Sequence, residues 1–286
     1  MIKTILASLT GFGSDRTVLE GAFAMARLDQ GHVAALHTRI DPGDSAAVLS
    51  VPQPQMRGGL LDAMQRIARE EKERSEQAQA VFADACKRHG AVVGDGPAQS
   101  LSASWREITS FENETLHQGR LHDLVVMARV PELASERLHT LVMHCGKPVL
   151  IPPPRPARTM GDTVALAWKD SAEAARAVSA AMPVLEHARR VIVIAVCEDP
   201  SRREPERASA EGVVAQLKRH GVAAELTTGS AQSAPASEKI AEACYAADAD
   251  LLVMGAYGHS RMRELVFGGV TRELLKECAI PVLMLH

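Results

Sequence analysis

The stretch Met254 to Thr271, MGAYGHSRMRELVFGGVT, holds the residues whose types and spacing could do chemistry. Four apolar residues, Leu251 to Met254, run into Gly255, Gly258 follows, and the pair Gly268-Gly269 opens a helix-like segment from Val270. A strand, a glycine-punctuated loop and a helix start together form a phosphate cradle. Glycine lets the backbone turn at positive φ and lets N–H groups approach a ligand with no Cβ in the way. The helix start offers unpaired N–H donors and the positive end of a dipole. His259 and Arg261 carry groups that can neutralise phosphate oxygens, and Thr271 offers a hydroxyl.

Something must hold that loop in place. Asp123-Leu-Val-Val-Met127 matches Asp250-Leu-Leu-Val-Met254 at an offset of 250 − 123 = 127. Lys147 to Leu150 matches Ile280 to Leu283 at 281 − 148 = 133, and Ile5 to Leu9 matches Val164 to Trp168 at 164 − 5 = 159. The chain reads as two copies of one unit, 1–153 and 160–286, joined by the proline-rich Pro152 to Pro156. The pattern predicts strands at Lys3–Leu9, His32–Arg39, Ala98–Trp105 and Leu124–Met127 in the first copy, with Ser14 or Asp15 capping a helix over Arg16–Leu28 and a long helix over about Leu60–His89. In the second copy it predicts strands at Thr163–Trp168, Val191–Val196, Val222–Thr227, Leu251–Met254 and Pro281–Leu285, with helices between them. Short apolar runs alternating with helices indicate parallel strands covered on both faces, a doubly wound α/β fold. Such sheets bind ligands beyond the carboxyl ends of their strands. The loop from Gly255 lies there, as do Lys169 and Asp170 after strand one and Cys197 after strand two.

The full spacing, Gly255-x2-Gly258-x9-Gly268, resembles the nucleotide loop of the universal stress protein family, G-x2-G-x9-G-[Ser/Thr]. The resemblance covers the whole chain as a tandem pair and is strongest in the second copy. It implies two five-stranded parallel units of strand order 3-2-1-4-5, related by a pseudo-twofold axis with their fifth strands side by side. It also implies ATP, with or without Mg²⁺, as ligand. Backbone around Ala167 and Val196 would flank adenine. Met254, Gly255, Gly258, Gly268, Gly269 and Val270 would lie along ribose and phosphates. Two departures stand out: Gly269 replaces the usual Ser or Thr, and Lys169 replaces an Asp or Asn that contacts the adenosine, with Asp170 one residue later. Lysine cannot accept a hydrogen bond.

The first copy is 133 − 127 = 6 residues shorter between strands four and five, with Ala128, Arg129 and Val130 where Gly255, Ala256 and Tyr257 stand, and with Pro131, Glu132 and Glu136 following. Carboxylates beside a triphosphate repel it, so the first copy reads as degenerate.

Composition excludes other classes. A net charge of −3 gives no electrostatic case for nucleic acid or an anionic membrane. No apolar run approaches the ~20 residues of a membrane span. The five cysteines, without a C-x-x-C, read as reduced core thiols of a cytoplasmic protein. His117/His122 and His139/His144 are spaced by five, which does not suit a helical zinc pair. There is no G-x-x-x-x-G-K-[ST] loop and no G-x-S-x-G elbow, so no catalytic residue is assigned.

The expectation is an ATP-binding regulator of a stress response acting on a protein partner, an internal pseudo-dimer able to form homodimers. Its rivals are a nucleotide-free dimerisation module, a slow ATPase with Asp170 on Mg²⁺, and a sensor whose Asp41–Gln55 loop covers a pocket in the first half.

Overall fold

The computed structural model describes residues 1–39, 54–94, 96, 99–109, 114–129, 134–157, 159–232, 234–256 and 269–286, with the side chains of 54–61, 63, 134–136 and 277 left aside. Gly258, His259, Arg261 and Gly268, together with Pro131, Glu132 and most of the Asp41–Gln55 loop, lie outside the described residues.

In the N-terminal half, the strands are β1 (Thr4–Leu9), β2 (His32–Arg39), β3 (Val92–Val93), β4 (Ser102–Thr109), β5 (Leu124–Met127) and β6 (Val149–Ile151). The helices are α1 (Asp15–Asp29), α2 (Pro54–His89), α3 (Glu114–Arg120) and α4 (Ala134–His144). The C-terminal half has β7 (Thr163–Trp168), β8 (Arg190–Cys197), β9 (Ala224–Ser230), β10 (Leu251–Gly255) and β11 (Val282–Leu285). Its helices are α5 (Ala172–Leu185), α6 (Arg203–Arg219), α7 (Ala236–Ala246) and α8 (Gly269–Glu277). The eleven strands among the described residues form one sheet of order β3-β4-β2-β1-β5-β6-β11-β10-β7-β8-β9. Every neighbouring pair is parallel except β6 and β11, which pair antiparallel through Val149–Met284, Leu150–Leu283 and Ile151–Val282. Among the described residues, no helix is long and apolar enough to cross a membrane.

The core is aliphatic and lies on both faces. One cluster gathers Ile5, Leu9, Leu19, Phe23, Val164, Leu166, Val193 and Leu217. The other gathers Leu6, Val125, Ile192, Leu252, Met254 and Leu274. Two aspartates at matching places pin strand ends together. Asp123 Oδ2 accepts from the amides of Lys3 and Thr4 at 2.9 and 3.0 Å. Asp250 Oδ1 accepts from the amides of Gly161 and Thr163, both at 3.0 Å.

Four elements depart from expectation. α2 begins at Pro54, not Leu60, and runs through Gly58 and Gly59. The strand expected at Ala98–Trp105 is β4, four residues later, with the two-residue β3 added outside it. α6, which the pattern predicts from Arg207 after a polar loop, starts at Arg203, preceded by a one-turn 3-10 helix, Pro200–Arg202. Ser14 precedes α1 but makes no side-chain capping bond. Instead the fully buried Asp15 reaches back to accept from Thr10 N (2.8 Å), Thr10 Oγ1 (3.0 Å) and Gly11 N (2.8 Å), tying the β1 loop to the helix start.

α1 and α2 are joined through His89. Its ring stacks on Phe23 at 4.6 Å between centroids, and its Nε2 lies 2.8 Å from Glu20 Oε2. Glu20 is also held by Arg88, so the carboxylate already has a cation. His89 is therefore the neutral tautomer that donates from Nε2, which leaves Nδ1 as a buried lone pair without a partner among the described residues. Burial, then Arg27 and Arg88, lowers its pKa from 6.5 to about 4. Because the folded-state value is depressed, the contribution is fully present above pH 6.5 and is lost as pH falls towards 4. The gap 6.5 − 4 = 2.5 corresponds to about 3 kcal/mol. Urea unfolding at pH 7 and at pH 4.5 is expected to show this fall in the wild type and a flatter profile in His89→Gln. Parallel profiles would refute the assignment.

Candidate nucleotide site

The C-terminal half reverses its strand order at β7, with β8 on one side and β10 on the other, which is where open α/β sheets bind ligands. Register aligns Ala167 of β7 with Met254 of β10, and Trp168 with Ala195, so that Val196 follows directly along the same edge. Side chains alternate along a strand. Met254 lies in the second hydrophobic cluster, and Ala167, Val196 and Val270 pack against it. The fold thus brings these four predicted positions to one face of the sheet at its carboxyl edge.

Gly255 ends β10. A Cβ there would lie 2.6 Å from Ala174 N, 2.7 Å from the Glu173 carbonyl carbon and 3.0 Å from Ala174 Cα. The first turn of α5 therefore presses on this glycine directly. α5 is capped by Ser171, whose Oγ accepts from Ala174 N at 3.2 Å. Beyond Gly255 the chain is held by Ala256 N donating to Leu285 O at 2.9 Å and by His286 Nδ1, 3.1 Å from Ala256 O. Gly269 opens α8, and no heavy atom of the described residues lies within 4 Å of a Cβ position there. Val270 is half-buried and Thr271 is buried. α7 fastens α8 through Ser237 Oγ, which donates to Glu273 Oε2. Gly258, His259, Arg261 and Gly268 fall between Ala256 and Gly269 in sequence, outside the described residues.

Lys169 and Asp170 are both exposed. The Lys169 ammonium donates to Glu198 Oε2 at 2.8 Å, a bridge between the ends of β7 and β8. Both side chains are about half exposed (47% and 52%), so the bridge is weak and can open for a ligand. Sequence reasoning missed Glu198. An acidic residue at the end of the second strand was the available signal.

The corresponding edge of the N-terminal half is crowded. Gly11 has φ +79°, and a Cβ there would meet Arg74 of α2 at 2.5–2.9 Å. The Arg74 guanidinium lies 5.2 Å from the centre of the Phe12 ring. Ala128, 2% exposed, stands at the Gly255 position. Arg129 turns away to the other half, where Nη2 donates to Cys278 O at 3.0 Å, just beyond the carboxyl end of α8.

Comparison with known proteins is consistent with this geometry. Residues 160–286 match the model of the universal stress protein family. A 34-residue stretch is 59% identical to the universal stress protein Slr1230 of Synechocystis, a match that spans 12% of this chain and 12% of that protein. A universal stress protein structure from Archaeoglobus fulgidus is similar over 99% of this chain and 95% of its own, with a TM-score of 0.66 at 16% identity. A universal stress protein structure from Pseudomonas aeruginosa covers 99% and 93%, with a TM-score of 0.59 at 16% identity. At such identities the structural likeness speaks for the fold alone, and the family model matches the C-terminal part, residues 160–286.

Proposed function

We propose that the C-terminal half binds an adenine nucleotide, ATP with or without Mg²⁺, and acts as a regulator in a stress response in the cytoplasm. The observation that carries this reading is the convergence of Ala167, Val196, Met254 and Val270 on one face at the strand-order reversal, beside Gly255 and the start of α8. In this reading Gly255, Gly258, Gly268 and Gly269 bring backbone donors to the phosphates. Thr271 supplies a hydroxyl, His259 and Arg261 supply charge, and Asp170 serves a cation where Mg²⁺ is present. Nucleotide shifts the population of the Gly255–Gly269 loop and so alters a surface offered to a protein partner.

The chain divides in this reading into units 1–153 and 160–286, a tandem pair of order 3-2-1-4-5 related by a pseudo-twofold axis at the β6–β11 seam. The first unit is degenerate. The crowding at Gly11, Ala128 in place of glycine and the diversion of Arg129 support that division of labour.

The test is to denature protein purified without added nucleotide and to measure adenine nucleotides in the supernatant by mass spectrometry, followed by titration calorimetry. About one ATP per chain is expected. Thr271→Val keeps the shape and removes the hydroxyl, and should weaken ATP by about tenfold with the unliganded Tm little changed. Close to two ATP per chain would overturn the degenerate first half. Neither retained nor titrated nucleotide would favour the second reading, a nucleotide-free dimerisation module, for which the Lys169–Glu198 bridge across the site is the supporting observation.

A further inference from the structure

On the opposite face of β8 from the nucleotide positions lies a cavity of about 340 Å³. Its floor is Ala195 and Cys197 of β8, its outer wall is Thr228 to Ser230 of β9, and its roof is the first turns of α6. Among the five cysteines, all buried and unpaired, Cys197 alone stands outside both hydrophobic clusters.

Strand register explains why the cavity exists. Leu9 pairs with His37 in β1–β2, and Trp168, the matching residue of β7, pairs with Ala195. His37 pairs in turn with Glu107, and Ala195 with Thr228. Arg39 and Cys197 are likewise equivalent, two residues further along. Three large polar side chains in one half are therefore matched by three small ones in the other. In the N-terminal half the place is full. His37 is 1% exposed, its ring 6.0 Å from the Trp105 ring and its Nδ1 3.3 Å from Leu9 O. Arg39 Nη1 donates to Glu107 Oε1 at 3.0 Å, and Ser75 of α2 donates to the other oxygen of the same carboxylate. An imidazole, a guanidinium and a carboxylate thus stand where the C-terminal half has Ala195, Cys197 and Thr228, with Trp168 in place of Leu9 filling part of the room and donating to Ser209 of α6.

The open version keeps both signs of charge at its rim. Arg203 and Arg207 stand beside Glu204 and Glu206. Arg207 is tied to Glu211 at 2.9 Å and Glu206 to Arg202 at 3.8 Å. Arg203 has no ion-pair partner among the described residues. The Cys197 thiol donates to Asp199 O at 2.9 Å, and burial with the nearby Glu206 carboxylate holds it protonated, so it serves as a neutral floor. A pocket of this size with a polar floor and rim charges of both signs matches a small ligand that itself carries both.

We propose that this cavity is a second ligand site, independent of the nucleotide site, which takes a small zwitterion of the amino-acid class. Arg203 meets its carboxylate, Glu204 or Glu206 meets its ammonium, and its side chain occupies the space that His37 and the Arg39–Glu107 pair fill in the other half.

The test is a thermal-shift series on the full chain with the free amino acids one at a time, and with acetate and methylammonium as singly charged controls. At about a hundred times its Kd, the fitting amino acid should raise Tm by about 5 °C, and the controls should not. Ala195→His, which restores the filled arrangement, should abolish the shift. Arg203→Ala, at an exposed position that leaves the core untouched, should weaken binding about tenfold if Ala195→His fails to fold. No shift with any amino acid, an equal shift with acetate, or undiminished binding in Arg203→Ala would each overturn the proposal. Added ATP should leave the shift in place.

Discussion

Gly255→Ala is expected to cost about 3 kcal/mol and to lower Tm by about 6–12 °C. The new methyl would meet backbone atoms of Glu173 and Ala174 at 2.6–3.0 Å, and backbone cannot rotate away as a side chain can. Relief requires the start of α5 to move from β10, breaking the Ser171 cap and shifting the edge that carries Ala167 and Met254. ATP retention should fall with stability. Gly269→Ala is the matched control: among the described residues nothing lies within 4 Å of its Cβ position, so stability should hold or rise slightly. Differential scanning calorimetry of the two variants reads both outcomes. An unchanged Tm in Gly255→Ala would mean that α5 yields freely and that the glycine answers to ligand alone.

Asp15→Ala should lower stability by about 3 kcal/mol. It removes the one acceptor shared by the Thr10 amide, the Thr10 hydroxyl and the Gly11 amide, in a place closed off from water. Asp15→Asn keeps an acceptor oxygen and should lose about half as much. The carboxylate is not free of cost in the wild type, since burial raises its pKa against the pull of those donors. A raised folded value means that ionised Asp15 opposes folding and that protonation relieves it. As pH falls through the folded value towards 3.8, the wild type should gain on Asp15→Asn, opposite in sign to the effect of His89. Urea midpoints at an unchanged m-value, taken across that range, measure both. Equal midpoints for all three proteins at pH 7 would show that the β1 loop is held by other contacts.

Much of this architecture was legible in local pattern. The matched runs at Asp123 and Asp250 located the fourth strands, and the apolar runs located most of the others. What those aspartates do was not legible, because their partners at Thr4 and Thr163 lie 119 and 87 residues away. Gly255 was readable as a loop glycine, but its confinement by α5 depends on how two elements pack. α2 starts before the expected Leu60 because Pro54, read as part of the Asp41–Gln55 loop, stands at the helix start, where proline is tolerated. β3 is two residues long and carries no periodicity to read. The cavity over Cys197 was invisible for another reason. It arises from which residues face one another across strands in two halves, and no spacing in one dimension shows that.

The seam between β6 and β11 has a consequence for how this molecule can change. Two identical chains meeting about a twofold must present the same surface twice, so each substitution there acts on both sides at once. One continuous chain is released from that rule. Arg129 reaches across to the carbonyl of Cys278, but Ala256, its counterpart at an offset of 127, reaches nowhere comparable and instead receives His286. The place that Cys145 occupies after α4 is served from within its own half, by Arg120 at the neighbouring His144 carbonyl. Within this one chain, one side is the brace and the other the braced, an asymmetry that two identical chains related by a twofold cannot show.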